Sequence, residues 1–273
     1  MIAKIACALG SVGAYLLAIM PDGKQRARWM NGVFYAHRGL HDREAGVPEN
    51  TLAAFRRAVE AGYGIELDVQ LTRDGQPVVF HDFTLKRMCS ADGEVKDYTY
   101  EELRHFPVDG TKERIPLLSE VLELVDGKVP LLVEMKCRDF SVRICQKADE
   151  LLCGYQGEYS MESFHPWALL WYKKHRPDIC RGQLAMTFQR QEGSYRVEKF
   201  VARHLLTNFL TKPDFIAYDI RDKEAVSKNI CRKLFRCPSA AWTVKSPEQL
   251  KKARPYYDSF IFEGFRPTVR NPS

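Results

Sequence analysis

Nine short apolar runs punctuate the chain, at residues 33–37, 64–69, 77–81, 130–135, 157–163, 181–186, 214–219, 239–244 and 258–262. Runs of this length read as buried strands. Segments of helical periodicity alternate with them. In residues 49–61, Leu52, Phe55, Ala58 and Val59 share one face, and Gly62 stops the pattern. Residues 116–125, 141–152, 166–175, 194–209, 223–235 and 247–253 are the other helical candidates. Strand–helix alternation predicts an α/β fold, a parallel sheet closed as a TIM (β/α)8-type barrel.

Nine strands are one too many for eight-fold closure. The second and third runs are joined by residues 70–76, too short for a crossover helix. Asp74-Gly75 is a hairpin turn signal, and a two-residue turn there would set Asp68 opposite His81. The alternative is an extended return that lets both runs enter the barrel in parallel. Residues 83–114, charged and irregular, read as a small insertion after the third strand that could roof a site. The expected organisation is an N-terminal hydrophobic segment and basic linker, 1–30, and one barrel domain, 31–273.

Residues 5–20 carry no charge; Lys4 precedes them, and Lys24, Arg26 and Arg28 follow. As a helix this run spans roughly 24 Å, short of a ~30 Å hydrocarbon core. A short membrane anchor, a cleaved signal peptide and a helix packed on the domain all fit. A small-x-small cleavage site is lacking, and the basic cluster would stay cytoplasmic. The expectation is membrane association through residues 2–20, with the catalytic domain cytoplasmic. Cytoplasmic or secreted forms stay open.

A length of 273 residues fits one large domain, and the net charge of +6 comes from scattered Lys and Arg. No long basic run or nucleic-acid motif occurs, so no nucleic-acid partner is expected. The eight cysteines include no CxxC pair and read as reduced core thiols.

Ionisable residues interrupt four of the apolar runs near their ends: His37, Glu66 with Asp68, His81, and Glu134. A buried charge is costly unless paired or bound to a metal. Strand ends of a parallel barrel meet on one face, which predicts a shared site. Glu66 and Asp68, two apart, share one face of a strand. With Glu134 they form an oxygen-only ligand set that suits Ca²⁺ or Mg²⁺ better than zinc. Ion pairing with Lys136 or Arg38 is the structural alternative. His37 and His81 beside a metal make a general acid and base, and Arg38 and Lys136 can clamp an anion. These groups suit phosphate-ester cleavage. Hydride transfer is disfavoured, because no Gly-rich dinucleotide loop occurs. Residues 48–51, Pro-Glu-Asn-Thr, read as a helix entry, with Asn50 or Thr51 as cap.

Five motifs follow in order: His37-Arg38-Gly39, Pro48-Glu49-Asn50-Thr51, Glu66-Leu67-Asp68-Val69, Thr72-x-Asp74-Gly75 and Val78-Val79-Phe80-His81-Asp82. Glu134-Met135-Lys136, Ser163-Phe164 and Trp242-Thr243-Val244 come later. This set resembles the glycerophosphodiester phosphodiesterase family, a branch of the phosphatidylinositol-phospholipase-C-like barrels, over about residues 33–265. The resemblance implies that Glu66, Asp68 and Glu134 hold a divalent cation and that His37 and His81 are the acid–base pair. It implies phosphate contacts from Arg38 and Lys136, and a substrate-pocket wall from Trp242. The end departs from the family pattern: Phe262-Glu263-Gly264-Phe265-Arg266-Pro267 stands where Thr-Asp near a final Pro is common, and Lys245 where Asn is common after Trp-Thr-Val.

The expected function is metal-dependent hydrolysis of a glycerophosphodiester to glycerol phosphate and an alcohol. The alternatives are a lysophospholipase-D-like enzyme on the same barrel and a non-catalytic phosphodiester-binding membrane module. The presence of both histidines and all three carboxylates argues against the last.

Overall fold

The structure, a computed structural model, describes residues 2–24, 26–138, 140–187 and 197–268, without the side chains of residues 2–9. Its strands are β1 Phe34–His37, β2 Gly64–Leu71, β3 Pro77–Val79, β4 Leu131–Met135, β5 Tyr159–Ser163, β6 Cys180–Ala185, β7 Phe215–Asp219, β8 Ser239–Val244 and β9 Ser259–Phe262. Eight of them pair in parallel in the order β1-β2-β4-β5-β6-β7-β8-β9, and β9 closes the ring on β1. The result is a TIM barrel.

The ninth strand is the hairpin arm. β3 runs antiparallel on β2 with Val69 opposite Val79 and Leu71 opposite Pro77. The turn holds three residues, 73–75, between the paired Thr72 and Gln76, and Gly75 takes a left-handed φ of 81°. That extra residue shifts the register expected from a two-residue turn by one. Phe80 therefore faces Asp68, its amide donating to the Asp68 carbonyl at 2.9 Å, and His81 stands one position further along.

Inward side chains fill the barrel. Tyr35, Leu132, Leu184, Phe215, Ala217, Ala240 and Ile261 form its interior, and Ala27 and Met30 of the 3-10 turn Arg26–Met30 plug the end where the strands begin. Phe215 fits because Gly182 lies beside it; a Cβ on Gly182 would fall 2.1 Å from the Phe215 ring. Outward residues of β2, namely Ile65, Leu67 and Val69, join the helices in the main core. Burial of each such side chain contributes about 1.5–3 kcal/mol.

The helices at Pro166–His175 and Pro247–Ala253 match the sequence periodicity, each opened by its proline. The candidate over 194–209 is broken. A helix at Val197–Arg203 and a turn of helix at Asn208–Thr211 flank buried Leu205, which has a left-handed φ of 57°. Residues 188–196 lie outside the described residues. The insertion after β3 carries its own small core, including Leu85, Met88, Val95, Leu103 and Val108. Cys89, Cys145, Cys180, Cys231 and Cys237 are buried free thiols, whereas Cys137 is half-buried and Cys153 exposed, so these two are not core thiols; the side chain of Cys7 is outside the described residues.

The N-terminal expectation needs correction. Residues Ile2–Ile19 form a helix of 18 residues, but no helix among the described residues is long and apolar enough to cross a membrane. Its length is about 27 Å, with Lys4 inside it, against a hydrocarbon core of about 30 Å. Its carboxyl end is instead docked on the barrel's outer layer. Ile19 is buried, and its carbonyl accepts from Asn208 Nδ2 at 3.0 Å and from Cys231 Sγ at 3.3 Å. Lys212 Nζ donates to the Met20 carbonyl at 3.2 Å. The membrane-anchored location expected for the chain is therefore not supported.

Candidate active site

Strand register assembles the site. His37 is level with Glu66 across β1 and β2, Asp68 with Glu134 across β2 and β4, and Glu134 with Glu162 across β4 and β5. The carboxylates are all buried. One oxygen from each of Glu66, Asp68 and Glu134 lies within 4.8 Å of the others. Lys136 Nζ reaches Asp68 Oδ1 at 3.2 Å and Glu134 Oε1 at 3.1 Å. Arg38 Nε is 3.5 Å from Asp68 Oδ2, and the Arg38 amide donates to Glu66 Oε2 at 2.9 Å. Arg38 makes that contact from a left-handed φ of 56°, directly after β1.

Electrostatics shows a charge deficit. Four carboxylates face two cations, Arg38 and Lys136, leaving an excess of two negative charges if all ionise. Burial, together with the charges of Asp68 and Glu134, raises the Glu66 pKa well above the usual range. Burial and the same cluster do likewise to Glu162. For Glu134, burial dominates over Lys136 and lifts the pKa to about 7. Asp68 is the exception: burial opposes its ionisation, but Lys136, His81, Arg38 and the Asn50 hydrogen bond outweigh that and lower it. A divalent cation would remove the excess. The donor set fits one, being oxygen-only and clustered. Asp68 Oδ1 and Glu162 Oε2 are buried and accept no aligned hydrogen bond from the described residues.

Each histidine is held by a carboxylate. His37 Nδ1 lies 2.9 Å from Glu263 Oε2, and His81 Nδ1 lies 2.6 Å from Asp82 Oδ1. A proton on Nδ1 in each pair leaves Nε2 facing the site. Burial lowers the pKa of both imidazoles, with Glu263 opposing at His37 and Asp68 opposing at His81. Arg87, from the insertion, binds Asp82 at 2.5 Å and Glu49 at 2.7 Å. Glu49 also takes Arg38 Nη1 at 2.6 Å, so the insertion helps fix the guanidinium beside the carboxylates. Trp242 and Phe164 meet edge to face with ring centroids 5.6 Å apart, and the buried Trp242 Nε1 has no acceptor among the described residues. These groups enclose a small cavity of about 60 Å³, lined by His37, Arg38, Glu66, His81, Lys136 and Trp242 among others.

A cavity with clustered acids, two carboxylate-held imidazoles and two clamped cations is suited to phosphoryl chemistry. The family comparison agrees. Residues 37–256 match the model of the glycerophosphoryl diester phosphodiesterase family. The chain belongs to that family. It is accordingly an enzyme of the phosphoric diester hydrolase class. A glycerophosphodiester phosphodiesterase of Bacillus altitudinis is 38% identical over 173 residues, which cover 59% of this chain and 69% of the relative. One from Caldanaerobacter subterraneus subsp. tengcongensis is 40% identical over 168 residues, 57% of this chain and 67% of the relative. Among solved structures, an Oleispira antarctica phosphodiesterase in complex with the product sn-glycerol-3-phosphate superposes with a TM-score of 0.70. It is 25% identical, and the match covers 86% of this chain and 94% of that one.

The structure brings together all eight residues singled out from the family's motifs: His37, Arg38, Glu66, Asp68, His81, Glu134, Lys136 and Trp242. Sequence reasoning missed others. Glu162 is the fourth residue of its strand, as Glu134 is of its own, and that repeated placement was the available signal. Asn50 was read as a possible cap. Thr51 is the cap, accepting from the Ala54 amide, whereas Asn50 donates to Asp68 Oδ2 at 2.8 Å from a left-handed φ of 53°. Glu263, noted only as a departure, is the partner of His37.

Proposed function

We propose that this chain hydrolyses glycerophosphodiesters to glycerol phosphate and an alcohol, with a divalent cation held by Glu66, Asp68 and Glu134. The observation that carries this reading is the buried carboxylate cluster flanked by two carboxylate-held imidazoles. The cation, Ca²⁺ or Mg²⁺ by its oxygen ligands, would polarise a phosphoryl oxygen and offset its charge.

The chain's own residues supply the rest. Arg38, held by Glu49, and Lys136, held by Asp68 and Glu134 themselves, bind the remaining phosphoryl oxygens. His37 takes the proton from the attacking hydroxyl at Nε2: water gives glycerol phosphate directly, whereas the neighbouring glycerol hydroxyl gives a cyclic phosphodiester that water then opens, with the two histidines exchanging roles. Glu263 stabilises the imidazolium that results. His81 protonates the leaving oxygen. One feature favours that assignment: its side chain is 32% exposed against 15% for His37. Trp242 walls the glycerol side, its indole N–H available to a hydroxyl. The alcohol has room beyond Lys136, which also lines an adjoining groove of about 330 Å³ with Phe83 and Arg138.

The test is product analysis on a panel of glycerophosphodiesters and acylated lysophospholipids. Release of glycerol phosphate from the water-soluble diesters is expected. Turnover confined to acylated substrates would replace this reading by the lysophospholipase-D-like one, and turnover of neither would refute both.

A further inference from the structure

The end of the barrel opposite the histidines, where the strands begin, holds a second cavity, of about 490 Å³. Arg181, the second residue of β6, lines it together with Asp22, Lys24, Arg26, Lys173 and Lys212. The volume is in the usual range for small-molecule sites, about 300–1,000 Å³.

Its charges fall into two groups. Arg26 Nη2 lies 2.8 Å from Asp22 and 2.9 Å from the buried Asp214. Arg181, itself buried, lies 3.2 Å from Asp22 and 3.6 Å from Asp214. Two arginines and two aspartates cancel one another. Lys24, Lys173 and Lys212 are left over, and among the described residues none of the three forms an ion pair. Lys173 Nζ donates to the Leu210 carbonyl at 2.6 Å, and Lys212 Nζ to the Met20 carbonyl at 3.2 Å. An ammonium has three donors, so both keep donors for a ligand. Burial and then the Lys173 charge lower the Lys212 pKa, with Asp22 opposing. These two lysines are held by backbone carbonyls around one cavity.

We propose that this floor cavity binds a soluble small molecule bearing a pyrophosphate or two phosphate groups, gripped by Lys24, Lys173 and Lys212. Three uncompensated positive charges match such a polyanion. The ligand would bridge the turn after the N-terminal helix, the helix Pro166–His175 and the segment before β7. Occupancy should therefore pin the N-terminal segment to the barrel. The proposal is independent of the reaction at the other end.

Calorimetric titration of the full-length, metal-free protein with inorganic pyrophosphate tests it. Wild type should show binding that is weakened about tenfold or more in a Lys173→Gln/Lys212→Gln variant. That variant should keep wild-type turnover on a water-soluble phosphodiester, and pyrophosphate should no longer raise its unfolding temperature. Without ligand, its unfolding temperature should stay close to that of wild type, since the relieved repulsion and the lost carbonyl hydrogen bonds oppose one another. Should the double variant fail to fold, Lys24→Gln, on an exposed turn, carries the test and should also weaken binding. Identical titrations for wild type and Lys24→Gln or the double variant would place all pyrophosphate in the active site and overturn the proposal. Phospholipid headgroups share this chemistry. Lysine-dependent sedimentation with phosphatidate vesicles, without pyrophosphate binding, would overturn the soluble-ligand reading.

Discussion

Lys245 and Glu263 touch, with Nζ 3.4 Å from one carboxylate oxygen while the other oxygen lies 2.9 Å from His37 Nδ1. The His37 hydrogen bond is the largest influence on Glu263 and holds its pKa at about 2; Lys245 adds to it.

Glu263→Gln should therefore lower kcat by roughly 10-fold or more with little change in KM, because it frees the imidazole that accepts the proton. Lys245→Ala should change kcat by less than about threefold, since the exposed pair is screened. Steady-state kinetics of the two variants checks both. An equal loss from each would mean that Lys245 touches substrate.

Glu162 separates metal binding from mere proximity. Burial and the neighbouring carboxylates favour its neutral form when no cation is present. Glu162→Gln should leave the metal-free protein as stable as wild type and weaken metal binding by less than about tenfold. Glu66→Gln and Asp68→Asn should each weaken it by roughly a hundredfold. Equilibrium dialysis with Ca²⁺ and Mg²⁺ distinguishes these cases. An effect of Glu162→Gln as large as that of Glu66→Gln would make Glu162 a ligand.

Removal of residues 1–30 should destabilise the barrel. It deletes Asp22 and Arg26 from the charge quartet with Arg181 and Asp214, and Ala27 and Met30 from the barrel floor. Breaking a buried pair costs about 3–5 kcal/mol. A clear drop in unfolding temperature of the 31–273 fragment is expected by calorimetry. An unchanged value would show that the docked segment contributes nothing.

Lys228 gives a pH signature. It is buried, donating to the Lys223 carbonyl at 2.6 Å and lying 3.9 Å from the Tyr257 ring centroid. Burial, then Arg232 and Lys233, lowers its pKa to about 7, with Asp258 opposing. The unfolded chain holds that proton until about pH 10.4. Between these values the unfolded state binds more protons, so this group adds stability as pH rises, and its burial cost is complete below pH 7. Wild type should gain on Lys228→Met from pH 7 to 9.5 in urea unfolding. A difference independent of pH would contradict the shift.

Much of this was legible in the sequence. The alternation of apolar runs and amphipathic segments carried the barrel, and acids breaking apolar strands carried Glu66, Asp68 and Glu134. Relations set by tertiary contact were not. Whether Asn50 caps a helix or bonds Asp68 depends on a strand 18 residues away. The hairpin register depended on one extra turn residue, and a one-residue slip reverses every side chain. The apolar N-terminus looks the same in sequence whether it meets lipid or, as at Ile19, Asn208 and Cys231.

Turnover of a water-soluble glycerophosphodiester before and after metal removal tests the central claim most directly. Chelated protein should lose nearly all release of glycerol phosphate, and Ca²⁺ or Mg²⁺ should restore it in wild type but not in Glu66→Gln. Full turnover by the chelated enzyme, with no bound metal by elemental analysis, would contradict the account.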